Sequence, residues 1–136
     1  MRRNERGAMA IEAVVLTPVL VAAIMMIAAG SRYVDARSQT NHAAYAAARA
    51  ASLTTNQQAA VQAGKKVAEQ SMAERGRACA DLKVAIDAGD FNPGGTVQAT
   101  VACTADLSDL VGIGLPGSKT FTFTAVIPLE EHRDFP

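Results

Sequence analysis

Between Ala8 and Ala29 the chain reads AMAIEAVVLTPVLVAAIMMIAA, 22 residues in which Glu12 is the only charge. Nothing else in the sequence constrains the fold as strongly. At about 1.5 Å of rise per residue, the run makes a helix of roughly 33 Å, enough to cross a hydrocarbon layer of about 30 Å. A lone carboxylate near the end of such a span costs on the order of 2–3 kcal/mol on insertion scales, so it calls for a partner or a task. Pro18 lies in the same run and removes one backbone donor, which is where a kink is expected.

The flanks narrow the task. Arg2, Arg3 and Arg6 form a short basic leader that Gly7 closes, and Glu12 is the fifth residue after that glycine. Beyond the other end stand Arg32 and Arg37. The resulting positive-inside contrast is weak, and it orients the chain with its N-terminus in the cytoplasm and its C-terminal part outside.

Basic leader, Gly7, four residues, Glu12 and an apolar helix together resemble the type IV prepilin signal. The tail, FTFTAVIPLE at residues 121–130, is similar to the Thr-rich strand and Pro-acidic end of TadE-like minor pilins of tight-adherence pili. The resemblance implies a prepilin peptidase cutting between Gly7 and Ala8. It also implies that Glu12 meets the new N-terminal amine of a neighbouring subunit during assembly. Other pilins and the assembly platform are then the implied partners, with membrane lipid around the span. In major tight-adherence pilins an aromatic residue follows the glutamate and little follows the helix. Here Ala13 follows Glu12 and about a hundred residues follow the span, which favours a minor pilin or pseudopilin over the shaft subunit.

Composition excludes several other classes. Of 136 residues, 13 are basic and 13 acidic and only 4% are aromatic, so there is no electrostatic footprint for nucleic acid. His42 and His132 lie 90 residues apart without a matched nucleophile, and Ser108 lacks the Gly-x-Ser-x-Gly elbow, so no catalytic role is expected. Asp87, Asp90, Asp106 and Asp109 match no EF-hand spacing and read as solvated turn residues; no metal or other cofactor is expected. Cys79 and Cys103 are the only cysteines. In an exported region an even pair favours a disulfide, the alternative being two buried thiols.

Downstream of the span, Ser31 to Leu53 is Ala-rich and free of Gly and Pro, so one helix is expected to continue out of the bilayer, with Tyr33 at the interfacial belt. Ala43, Ala44, Ala46, Ala47, Ala48, Ala50 and Ala51 offer a small-residue surface for close packing between subunits, or simply a high helix propensity. Thr54, Thr55 and Asn56 interrupt the run, as a break or as a ripple in one long helix. Thr55 with Gln58 fits a capping box for a second helix to Ala78 that buries Val61, Gly64, Ala68 and Met72, with Lys65 and Glu69 outside.

From residue 80 the period becomes two. Leu82, Val84 and Ile86 alternate with polar residues, the segment 89–95 is a dense turn signal, and Val97, Ala99, Val101 and Cys103 alternate next, which predicts an antiparallel hairpin. A third strand is expected over 120–127, after an irregular Gly- and Pro-containing connection. Cys79 has the wrong parity to share a face with Leu82, so a bridge to Cys103 needs either a bulge or a Cys79 that precedes the strand.

The expected fold is therefore α+β: a long N-terminal helix, half transmembrane and half Ala-rich, a second helix or helical continuation, then a small antiparallel sheet of about three strands with one helix on its apolar face. The expected divisions are a leader at 1–7, a span at 8–30, an extracytoplasmic helical region at 31–78 and a β-domain at 79–136. Two rival readings keep the same fold. An uncleaved single-pass anchored binding module would begin at Met1, and a secreted protein cut after Ala28-Ala29-Gly30 would begin at Ser31.

Overall fold

The structure is a computed structural model that describes residues 5–74, 79–106, 108 and 117–132. The expectations for Arg2, Arg3, Asp109, residues 75–78 at the end of the second helix and the connection 109–116 lie outside the described residues. Helix α1 runs from Glu5 to Ser52 without interruption, with Pro18 inside it. Helix α2 spans Gln57–Glu74, and three strands follow: β1 (Asp81–Asp87), β2 (Thr96–Asp106) and β3 (Ser118–Pro128). The strands form one antiparallel sheet in the order β1-β2-β3, so β2 is central.

The break at 53–56 is real, and Asn56 rather than Thr55 caps α2. The Asn56 side-chain oxygen accepts from the Ala59 N–H at 2.8 Å, and its carbonyl accepts from the Ala60 N–H at 3.0 Å. Asparagine is among the strongest N-caps. The helix then buries Ala60, Gly64, Ala68 and Met72. Val61 had been expected in that stripe, but it is only half-buried. Starting the count at Ala60 gives an unbroken spacing of four, the side of a helix that faces one neighbour.

Two helices cover the sheet, not one. The C-terminal half of α1 buries Ala36, Thr40, Ala43, Ala44, Ala47, Ala48 and Ala51, all fully removed from solvent. Their spacing of three and four makes one continuous face. Against it pack Ala68 and Met72 of α2, Ala99, Val101 and Cys103 of β2, and Ala125 of β3, with Leu82, Val84 and Ile86 of β1 at the margin. Of the alanines offered for packing between subunits or for helix propensity alone, Ala43, Ala44, Ala47, Ala48 and Ala51 are buried inside the chain, because a helix pressed between a sheet and another helix needs small side chains on that side, while Ala46 and Ala50 are half-buried.

The core is a column of three clusters along α1. Ala36 meets Ala105 and Phe121 at one end. The group around Ala43–Ala48 occupies the middle, and Ala51 meets Ala60, Val97 and Leu129 at the other. Successive partners on β3 are Phe121, Ala125 and then Leu129 just beyond its end, so β3 runs in the same direction as α1 and β2 runs against it. The opposite face of the sheet is open and carries paired threonines, Thr100 with Thr124 at 3.0 Å and Thr104 with Thr120 at 2.9 Å between hydroxyl oxygens.

Candidate functional site

Two groups of residues carry the functional expectations, and they lie far apart. Gly7, Ala8 and Glu12 fall in the first two turns of α1. From Glu12 to Ala36, the first fully buried residue of the helix, is roughly 36 Å of rise. Cys79 and Cys103 lie inside the folded C-terminal region.

The N-terminal group sits on the half of α1 that lies outside the packed core. From Ala10 to Ala28 every residue of α1 is exposed. Ile24 is 65% exposed, Met26 75% and Ile27 72%, although burying such a side chain is worth about 1.5–3 kcal/mol. A helix of this length and apolarity with none of its surface buried is not the core helix of a soluble protein; it is a candidate membrane anchor. Thr17 donates its hydroxyl to the Ala13 carbonyl at 2.6 Å, one residue before the carbonyl that Pro18 leaves without its usual amide donor. Such back-bonding keeps polar groups satisfied within the helix, which an apolar surrounding demands.

The bond between Gly7 and Ala8 lies near the start of the described part of α1. Neither crowding nor backbone conformation requires glycine at this position: a Cβ built on Gly7 meets nothing within 4 Å, and its φ is not in the left-handed region. Glu12 is four residues beyond Ala8, about 6 Å of rise, so the two share a helix face.

The cysteines form the expected bridge. Cys79 is joined to Cys103 across a sequence separation of 24, with Cα atoms 5.5 Å apart. The parity conflict resolves without a bulge: Cys79 precedes β1, which begins at Asp81, and Leu82 is the residue opposite Cys103. The Ala80 N–H donates to the Thr104 carbonyl at 2.7 Å, extending the ladder beyond the strand. The bridge therefore staples the segment entering β1 to the buried side of the central strand.

The remaining polar residues are dispersed. His42 is exposed on α1 and His132 is exposed past the end of β3. Asp87 and Asp106 stand at opposite ends of the sheet and serve their own turns. Asp87 accepts from the Gly89 N–H at 2.9 Å, and Asp106 accepts from the Ser108 hydroxyl at 2.6 Å and its N–H at 2.9 Å. The Ser108 hydroxyl and then its N–H hold the Asp106 carboxyl below its ordinary range. Tyr33 was missed as a structural residue. Its ring meets Phe121 edge-on at 4.9 Å between centroids, tying α1 to β3 where the exposed helix meets the folded part.

A family model described as TadE-like protein matches residues 7–49. The match begins at Gly7 and ends at Arg49, so all of it falls on α1 and none on α2 or the sheet. No curated protein and no solved structure matches the chain.

Proposed function

We propose, from the premise that residues 7–49 are TadE-like, that this chain is a minor pilin or pseudopilin of a tight-adherence pilus. It is held in the bacterial membrane by α1, cleaved by prepilin peptidase between Gly7 and Ala8, and assembled through helix packing rather than catalysis. The observation that carries this reading is the wholly exposed apolar helix with one carboxylate five residues after a glycine that packing does not require. Cleavage leaves an ammonium on Ala8 in or near hydrocarbon. An opposite charge is the natural compensation there, because an unpaired ion in a low-dielectric setting costs several kcal/mol. Glu12 of an adjoining subunit supplies it. The folded region is carried outside the cytoplasm, where the Cys79–Cys103 bridge is stable.

The test is Glu12→Gln. The variant is expected to insert and to be cleaved, its mature N-terminus at Ala8 by mass spectrometry, yet to be missing from sheared filaments. Wild-type levels in the filament fraction would overturn the assembly role. A native N-terminus at Met1 would favour the anchored binding module, and one at Ser31 the secreted protein.

A further inference from the structure

The sheet is open at both edges. With β2 central, β1 and β3 each have one side without a neighbouring strand among the described residues. The Leu129 N–H donates to the Gly95 carbonyl at 2.8 Å, which carries the β2–β3 ladder one pair further and fixes its phase. Backbone groups along a strand point alternately to either side, so those of Thr120, Thr122, Thr124 and Val126 face away from β2. The same alternation carried across β2 turns those of Leu82, Val84 and Ile86 out from the edge of β1. Residues 120–126 of β3 stand level with all of β1 through their shared partners on β2. Lys119 and Pro128, residue types that blunt sheet edges, bound that stretch on either side.

The helical layer has the same asymmetry. α2 lies beside α1 over β1, whereas on the β3 side a shallow groove runs between α1 and the sheet. Val34, Arg37, Asn41 and Phe123 line it at one level, and Arg49, Leu53, Ile127 and Glu130 at another. Beyond the apolar run, the exposed large apolar side chains among the described residues are Tyr33, Val34, Tyr45, Leu53 and Val126. All belong to α1, the turn just past it, or β3, and none to α2 or β1. Arg37, Arg49 and Lys119 against Glu130 make this side net basic, with Arg32 and Asp35 off the stripe and cancelling. Asp81 and Asp87 against Lys83 make β1 net acidic, while Lys65 and Lys66 balance Glu69 and Glu74 on α2.

Direction selects the occupant. Copies anchored by α1 in one bilayer all point the same way. β3 runs with α1 and, two antiparallel steps away, so does β1. Two β3 edges paired antiparallel would turn one anchor away from the membrane, whereas β3 of one copy and β1 of the next meet in parallel with both anchors in place. We propose that this chain associates with further copies of itself by that contact, each β1 adding as a fourth strand to its neighbour's β3 and each α2 closing its neighbour's groove. At equal depth in the bilayer Thr124 is opposite Ala85 of the next copy. Its outward N–H and C=O then meet the outward groups of Val84 and Ile86, as a parallel ladder requires. The contact is head-to-tail, so it extends rather than closing at two. It is also small, and it forms where a bilayer aligns and concentrates the copies; the folded region without its anchor stays monomeric. The inference rests on the reading of α1 as a span.

The experiment uses the full chain in liposomes, with the native bridge intact and single cysteines introduced as Ala85→Cys or Thr124→Cys. Oxidation by copper phenanthroline is expected to give covalent dimer when the two variants share liposomes, at several-fold the yield of either alone. That excess is expected to vanish in a Thr122→Pro background, where proline removes an N–H that faces outward. A mixture no richer in dimer than Thr124→Cys alone, or an excess that survives Thr122→Pro, would overturn this inference and leave the anchoring intact. Chain that fails to float with the liposomes would overturn both.

Discussion

Gly64 shows how little room α1 and its neighbours leave. A Cβ at this position comes within 2.8 Å of the Ile86 Cδ1, 3.0 Å of its Cγ1 and 3.2 Å of the Ala47 carbonyl oxygen. The side chain of Ile86 has some freedom to move, whereas the backbone of α1 does not. Gly64→Val is expected to destabilise the folded region by about 1–3 kcal/mol, the usual cost of overpacking, read as a lower denaturation midpoint. An unchanged midpoint would show that α2 lifts away without cost. The sequence singled out Gly64 as part of a helical stripe, but it carried no sign of the close approach. The same holds for Asn56. Thr55 and Asn56 are both good caps by composition, and only the direction in which α2 leaves the turn chooses between them.

Among the elements, α1 is one helix with an exposed apolar half and a half that walls the core. Its first half was legible as a candidate span because a long apolar run, here with Glu12 as its one charge, needs no partner to be recognised. Its second half was legible as a helix, because alanine favours helix, but the sequence left open what the alanine face meets. Composition cannot say whether a small-residue face meets another subunit or the same chain. The strands were legible from their alternation, to within about one or two residues at most ends; β2 runs three residues past Cys103 to Asp106. The disulfide lies at the junction of these scales. Reduction of the Cys79–Cys103 bridge is expected to lower the unfolding free energy by about 3 kcal/mol in the chain-entropy description, measured by urea titration with and without dithiothreitol. Coincident titrations would refute that contribution.

For the whole molecule, the folded part is bounded by its contacts. Among the described residues, the fully buried side chains lie between Ala36 and Cys103, and the remaining core members extend to Leu129. A fragment of residues 31–136 is therefore expected to be soluble and monomeric on size exclusion, and to melt cooperatively by circular dichroism. A fragment starting at Ala43 loses Tyr33, Ala36 and Thr40, leaves Phe121 uncovered, and is expected to melt at lower temperature. Equal melting of the two fragments would mean that the cluster at Ala36 contributes nothing. The family match bears on this division, since it covers the candidate anchor and the first helical wall of the domain and stops before α2.

By itself the sequence determined an α+β chain with a membrane-length helix, a lone carboxylate five residues past a glycine, a period-two region and a pair of cysteines, because those features are local and repeat along the chain. Only the tertiary structure decided that the alanines are spent on the sheet and α2, that Cys79 lies ahead of β1, and that β3 runs alongside α1 to the foot of the exposed helix. Those outcomes depend on which faces meet, and contact between distant segments leaves no period in the residues that make it.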